Sequence, residues 1–201
     1  MKNLCKLAIV GILCTFLATG CAKPPTQEMA NAKAAIEAVT NVDTQTYAAD
    51  ELAKLTSDMT AAEEEVKVQD EKWFGNFDKA KQMLAAINTA AENVKTVAAT
   101  KKEEAKNAAI AAQGEAKAAI DAANALVAEA PTGKETKADI EMFKADLTGL
   151  QESLAGIQTS IDQEKYAEAK DSATSIKDKA ASISSQVQAA LDKVKAKKGK
   201  K

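Results

Sequence analysis

Residues 77–98 read FDKAKQMLAAINTAAENVKTVA, and this segment indicates a helix that packs against other helices. Apolar residues recur in it at spacings of three and four, which places them on one face of an α-helix as a heptad-like seam. These residues are Leu84, Ile87, Ala91, Val94 and Ala98. Alanine, lysine, glutamine and glutamate fill most of the remaining positions, and these are among the best helix formers. The segment therefore predicts one helix of a bundle.

The same segment has a counterpart 89 residues further along the chain, where Phe77, Ala80, Lys81, Ile87, Ala91 and Val94 fall on Tyr166, Ala169, Lys170, Ile176, Ala180 and Ile183. Two earlier segments also recur, because 32–38 matches 116–122 and 52–60 matches 140–148. Three matches in the same order predict a tandem duplication of a unit that holds three helical stretches.

Helix signals place the stretches of the first copy at 27–40, at 46–72 and from 77 onward. Thr46 is the predicted N-cap of the second stretch, and Gly75 and Asn76 form a turn before the third. Nothing from 77 to 130 would stop a helix before Pro131, and a helix of about 54 residues runs roughly 80 Å. A bend at 101–104, where four charges interrupt the apolar spacing, is the alternative.

These patterns predict an all-α fold of two elongated three-helix bundles in tandem, similar in shape to spectrin repeats, that share a long central helix. The first unit spans 27–112 and the second 113–192. Aromatic residues make up only 3% of the chain, so each buried position removes little area from water and the bundles must be thin.

The N-terminal 20 residues have the features of a secretory signal: Lys2 and Lys6 precede an apolar run, 7–18, that is too short to span a bilayer. The next residues, 17–21, read LATGC, which resembles the lipobox of bacterial lipoproteins. The resemblance implies cleavage between Gly20 and Cys21 and acylation of Cys21. An ordinary signal peptide with an incidental Cys21 is the alternative.

Cysteine usage favours the lipid anchor, because Cys5 and Cys14 lie in the removed segment and leave one cysteine in an exported chain. Several acyl chains on Cys21 would hold the protein stably. Ala22 stands where an aspartate would imply retention in the inner membrane, so the lipoprotein resemblance implies an outer-membrane protein that faces the periplasm. Residues 21–26 are then the acylated cysteine and a spacer, of which 23–26, with two prolines, is short and stiff.

The chain offers little catalytic chemistry, since it contains no histidine and no arginine. No nucleophile and base stand in a catalytic motif and no phosphate loop is present, so we expect no enzyme activity, no cofactor and no metal site. Removal of Lys2 and Lys6 takes the formal charge from −2 to −4, which argues against nucleic acid as a partner.

Aromatic residues gather at one place in the first copy, at Trp73, Phe74 and Phe77, with Tyr166 at the matching turn of the second. We expect them to fill the bundle ends, where alanines would leave voids. A ligand-binding tip is the alternative. The acidic runs 63–65 and 103–104 are expected to be solvated helix faces.

Residues 193–201 form a basic tail, and the predicted contacts with an anionic surface or with peptidoglycan are Lys197, Lys198, Lys200 and Lys201. The terminal lysine is similar to that of the murein lipoprotein, an alanine-rich helical lipoprotein joined to peptidoglycan through its last lysine. A frayed, solvated tail is the alternative. The mature chain also resembles alanine-rich periplasmic lipoproteins with a Phe/Tyr-x-x-Ala-Lys turn, a family that implies no settled activity.

The resulting interpretation is a lipid-anchored protein of the cell envelope that acts as a structural or adaptor helical module. Its partners would be membrane lipid through Cys21 and an envelope protein or peptidoglycan, and a heptad face left exposed by a thin bundle would also favour self-association. The alternative function is a periplasmic carrier of a small apolar or anionic ligand, which predicts a cavity between the helices.

Overall fold

A computed structural model describes residues 23–130 and 136–198, and within these ranges the regular structure is entirely α-helical. Six helices occur there: α1 Thr26–Val39, α2 Val42–Tyr47, α3 Ala49–Asp70, α4 Asp78–Glu129, α5 Lys137–Asp162 and α6 Tyr166–Lys198. The predicted all-α class is confirmed, and the predicted long central helix is α4, with 52 residues.

Helix α4 is unbroken through 101–104, where the run of charges had raised the alternative of a bend. Two of these charges contact neighbouring helices, because Lys101 Nζ lies 3.1 Å from Glu51 Oε1 and Lys102 Nζ lies 3.0 Å from Asp43 Oδ2. The two lysines thus pair with acidic residues of neighbouring helices at the point where the apolar spacing is interrupted. The helix continues there because lysine and glutamate are good helix formers.

The chain divides into two compact units, the first ending at Lys102 and the second beginning at Glu103. The sequence repeat puts this boundary between 112 and 113, further along the same helix. In the first unit α1, α3 and the first part of α4 share one core, whose buried residues are Ala32, Val39, Ala48, Leu55, Met59, Ala62, Leu84, Ile87, Ala91, Val94 and Ala98. The seam predicted from 84 to 98 lies wholly in this core.

The connection from α1 to α3 contains a helix that the sequence analysis did not predict. Asn41 caps α2, because its side chain accepts a hydrogen bond from Thr44 N at 3.0 Å while Asn41 N donates to Thr44 Oγ1 at 3.0 Å. The prediction of Thr46 as an N-cap was wrong: Thr46 lies inside α2 and donates back to Val42 O. Buried Thr44 also donates to Val39 O at 2.6 Å, which ties α2 to the end of α1.

In the second unit the last part of α4 and helices α5 and α6 each carry a buried apolar stripe. Polar contacts cross between them, since Lys177 Nζ lies 2.7 Å from Glu115 Oε2 and Gln113 Nε2 donates to Gln158 Oε1 at 3.3 Å. Residues that match in the sequence repeat are buried in both copies, in the pairs Phe77 and Tyr166, Ala80 and Ala169, Ile87 and Ile176, and Ala91 and Ala180.

The first six residues of the basic segment 193–201 are part of a helix. Helix α6 continues to Lys198, so residues 193–198 are helical. Alanine and lysine alternate through much of this segment, and both have high helix propensity.

Candidate functional site

The residues that the sequence singled out for anchoring lie near the two ends of the chain, and most of them are outside the described residues. Gly20 and Cys21 lie outside the described residues, as do Lys200 and Lys201. Lys197 and Lys198 are the last two residues of α6. The described chain begins at Lys23, three residues before the start of α1.

The start of α1 is held against one end of the first unit. Pro25 is buried, and its carbonyl accepts the hydrogen bond from Met29 N at 2.9 Å. Met29 in turn packs on a small core cluster of Val66, Phe77 and Ala80, which come from the end of α3 and the start of α4. Residues 23–29 thus lie at the same end of the first unit as the turn 71–77.

The aromatic residues of that turn do not all fill the bundle end, which corrects one prediction. Phe77 is 3% exposed and Tyr166 at the matching turn is 6% exposed, as expected for residues that plug a core. Trp73 and Phe74, however, are 88% and 80% exposed. Helix α3 ends at Asp70, so the helical spacing that would have carried Trp73 onto the buried face stops before reaching it.

The turn 71–77, which we call the aromatic turn, is held in place by several polar contacts. Gln69 Oε1 accepts from Asn76 N at 3.3 Å, and Asn76 Oδ1 accepts from Asp78 N at 2.8 Å at the start of α4. A Cβ atom on Gly75 would collide with the carbonyl group of Gln69, so this backbone approach requires glycine. The exposed pair is therefore presented by a defined turn.

Part of the acidic run 63–65 supports the same end of the unit. Glu63 pairs with Lys33 of α1 at 2.7 Å, and Glu65 pairs with Lys79 of α4 at 2.6 Å. Lys79 and Gln69 both donate hydrogen bonds to Glu65, and they lower the pKa of its carboxyl group from the ordinary 4.5. These two glutamates add ion pairs to the expected solvated face, and the pairs join α3 to both neighbouring helices.

The matching turn of the second unit, 163–165, is shorter and polar. Glu164 has φ 59°, a left-handed conformation, and the turn closes with hydrogen bonds from Lys165 N to Ser160 O and from Glu164 N to Ile161 O, both 2.9 Å. These two bonds form a Schellman motif that ends α5. Further along α6, Lys177 donates a hydrogen bond to Glu115 and lowers the pKa of that carboxyl group, while Glu115 raises the pKa of Lys177.

The spaces found on the second unit bear on the ligand-carrier alternative. Two are open surface grooves beside α5 and α6, of about 450 Å³ along Gly149 and Ser153 and about 480 Å³ along Met142 and Lys193. The mainly apolar space between Ile140 and Leu191 holds only about 20 Å³. That volume is close to the room one water molecule needs, so it does not suit an apolar ligand.

The described residues form neither a metal site nor a membrane-spanning helix. Within the described residues, no three or more cysteine, aspartate or glutamate side chains are grouped so that they could hold a metal ion. No helix in 23–130 or 136–198 is both long and apolar enough to cross a membrane. No family model, curated protein or solved structure matches the chain. A functional inference must therefore start from the chain's own residues.

Proposed function

We propose that this chain is a lipoprotein of the bacterial cell envelope, held at the periplasmic face of the outer membrane by acyl groups on Cys21, and that its helices act as a structural or adaptor module without enzymatic activity. The observation that carries the proposal is the segment 17–21, LATGC, at the end of a short apolar run and just before a helical fold. The mature chain would keep one cysteine, and acylation gives that cysteine a role.

The architecture proposed for the module is two three-helix units in tandem. In the first unit, the shared core of α1, α3 and α4 supports this arrangement. In the second, the support comes from the buried stripes of α4, α5 and α6 and from the pair between Glu115 and Lys177. The similar burial of residues matched in the repeat supports an origin by duplication.

The mechanism proposed for such a module is mechanical. Lipid at Cys21 would hold one end, and helices braced by interhelical ion pairs would present long polar faces to an envelope partner. The basic end of α6 and the residues that follow it, with Lys197, Lys198, Lys200 and Lys201, would contact an anionic surface such as peptidoglycan or lipid phosphate.

Cell fractionation of three strains tests the proposal: wild type, Cys21→Ala and a chain that lacks residues 195–201. We expect wild type in the outer-membrane fraction, from which only detergent releases it. Cys21→Ala loses the lipobox cysteine, so the uncut chain should keep the apolar run 7–18 and be missing from the outer-membrane fraction. Cys21→Ala in the outer-membrane fraction at the wild-type level would contradict the lipid anchor.

The role of the basic end is tested on isolated peptidoglycan with purified protein. Replacement of Lys197 and Lys198 by glutamine should weaken co-sedimentation. The difference between this variant and wild type should become smaller as the salt concentration is raised. The matched control replaces Lys170 and Lys179, two exposed lysines of the same helix. Equal weakening by both double variants would show a general charge effect and contradict a specific basic contact.

A further inference from the structure

The exposed pair Trp73 and Phe74 has no role in the packing of its own unit. Other large apolar residues that the structure shows exposed, such as Val42 on α2, Ile110 on α4 and Met142 on α5, stand singly on their helices. Single exposed apolar residues are normal on protein surfaces. Trp73 and Phe74 are adjacent, more exposed than any of these, and carried by a turn whose backbone is fixed around Gly75.

The position of the pair relative to the anchor segment points to what it contacts. Met29, in the first turn of α1, packs on Val66 and Phe77, so the chain enters the fold beside the aromatic turn. Cys21 lies four residues before buried Pro25, and four residues span at most about 14 Å when fully extended. A membrane that holds Cys21 therefore lies at this end of the first unit.

The charges at this end favour an apolar contact over an electrostatic one. Residues 23–28 and 70–79 together contain three lysines and four carboxylates, which gives no net attraction to anionic headgroups. Tryptophan is enriched where one side of the ring meets hydrocarbon and the other meets water, as at a membrane interface. A Trp-Phe pair on a nearly neutral turn matches that chemistry.

We propose that Trp73 and Phe74 insert into the headgroup-acyl boundary of the membrane that carries Cys21, and so give the first unit a second contact that sets its orientation. This inference rests on the proposed lipid anchor. Two aromatic side chains alone bind a bilayer weakly, but a tether converts the second contact into an intramolecular one with a high effective concentration. The turn thus needs only modest affinity to stay inserted.

Trp73 is the only tryptophan of the chain, so its fluorescence reports directly on the proposed contact. The experiment uses full-length acylated protein reconstituted into vesicles of phosphatidylethanolamine with a minor share of phosphatidylglycerol. The reference is the unacylated chain that starts at residue 21, free in buffer. Relative to it we expect a shift of the emission to shorter wavelength, severalfold weaker quenching by aqueous acrylamide, and strong quenching by lipids brominated near the headgroup end of the acyl chain. High salt should leave all three signals unchanged.

Two variants with an intact reporter separate insertion from other effects. Phe74→Ser should reduce the shift and the quenching by brominated lipid. Val42→Ser, which removes an apolar side chain that is 77% exposed on α2 at the opposite end of the first unit, should leave both unchanged. If Trp73 in the anchored protein keeps the emission and the acrylamide quenching of a solvated tryptophan, the inference is overturned.

The same experiment distinguishes a lipid contact from contact with a second copy. A shift that disappears when the protein is diluted in the vesicles would show that Trp73 meets another chain, and would also overturn the inference. Insertion into lipid predicts no dependence on the ratio of protein to lipid.

Failure of the lipid anchor can be told apart from failure of the insertion. The mass of the N-terminal peptide from the same preparation shows whether Cys21 is acylated. If it is not, the single thiol of the chain that starts at residue 21 can be coupled to a maleimide headgroup in the same vesicles. Insertion of Trp73 in that sample would support the membrane contact of the aromatic turn even without acylation of Cys21. A solvated Trp73 in that sample would contradict the contact.

Discussion

The two turns at matching positions of the repeat each connect two helices and lead into a buried aromatic residue, but they differ in length and in sequence. In the first unit seven residues, 71–77, lie between α3 and α4, whereas in the second unit three residues, 163–165, lie between α5 and α6. Both turns lead into a buried aromatic residue, Phe77 or Tyr166. The second unit reaches this arrangement with a Schellman motif and exposes no aromatic side chain on the way.

The difference separates what packing requires from what it does not. At the offset that aligns Phe77 with Tyr166, the counterparts of Trp73 and Phe74 are Asp162 and Gln163, both polar and exposed. A unit of this kind therefore folds without exposed aromatics at its turn. Their presence in the first unit is therefore not explained by packing, and it is the difference on which the proposed membrane contact rests.

The largest expected effect comes from removing the buried member of each turn. Phe77→Ala should lower the free energy of unfolding by about 3–5 kcal/mol, and Tyr166→Ala by a similar amount, because each leaves a cavity in a core. Trp73→Ala should change it by less than about 0.5 kcal/mol, as expected for a surface side chain. Urea unfolding followed by circular dichroism measures all three. A cost for Trp73→Ala as large as that for Phe77→Ala would remove the distinction between the two roles.

A glycine substitution probes how tightly the longer turn is built. Gly75→Ala should cost about 1–3 kcal/mol, because the added methyl group meets the Gln69 carbonyl and the turn must shift. The control is Gly149→Ala on α5, where a Cβ would meet nothing within 4 Å; it should gain about 0.5–1 kcal/mol from better helix propensity. Thermal melts compare the pair, and a stabilised Gly75→Ala protein would contradict the defined turn.

The shorter turn carries strain that a glycine should relieve. Glu164 has φ 59°, and a left-handed residue with a side chain costs roughly 1–2 kcal/mol, so Glu164→Gly should raise the stability by up to about 1 kcal/mol. Glu71, at the start of the longer turn, has φ −73° in the right-handed region. Glu71→Gly should therefore lose a few tenths of a kcal/mol up to about 1 kcal/mol by the same unfolding assay. Effects of the same sign at both positions would refute this assignment.

The smallest effects concern pH, and they differ between the units. The lowered carboxyl pKa values of Glu65 and Glu115 mean that each pair contributes stability above pH 4.5 and loses it as the pH falls through the lowered value. The pKa of Lys177 is raised from 10.5. The pair in the second unit therefore also loses its contribution to stability as the pH rises above 10.5 and through the raised pKa. The free energy of unfolding should depend less on pH at acid pH in Glu65→Gln. In Glu115→Gln it should depend less on pH at both acid and alkaline pH. Unchanged profiles would show that these pairs do not couple to folding.

Much of the fold follows from local pattern. The seam from Leu84 to Ala98 is buried as its spacing predicts, since a helix formed from strong helix formers presents one apolar face. The uninterrupted α4 follows from the same propensities and from the distance to the next proline. Matching burial in the two copies also follows the sequence repeat.

The errors occur where tertiary contacts end or begin a helix. The spacing of Val66, Gln69 and Trp73 continues the buried stripe, but α3 ends at Asp70 because the backbone turns back onto Gln69. Gly75 was recognised as a turn residue, yet only the structure shows that the turn begins early enough to expose Trp73. The short helix α2 was not predicted, although an Asn followed three residues later by Thr can form the reciprocal cap observed between Asn41 and Thr44.

The most direct test of the account is the mass of the N-terminal peptide of protein extracted from the native envelope. Trypsin does not cut readily before Pro24, so the expected peptide spans 21–33. The account predicts that this peptide begins at Cys21 and carries acyl groups on both its thiol and its amine. A peptide that begins elsewhere, or that begins at an unmodified Cys21, would contradict the lipid anchor.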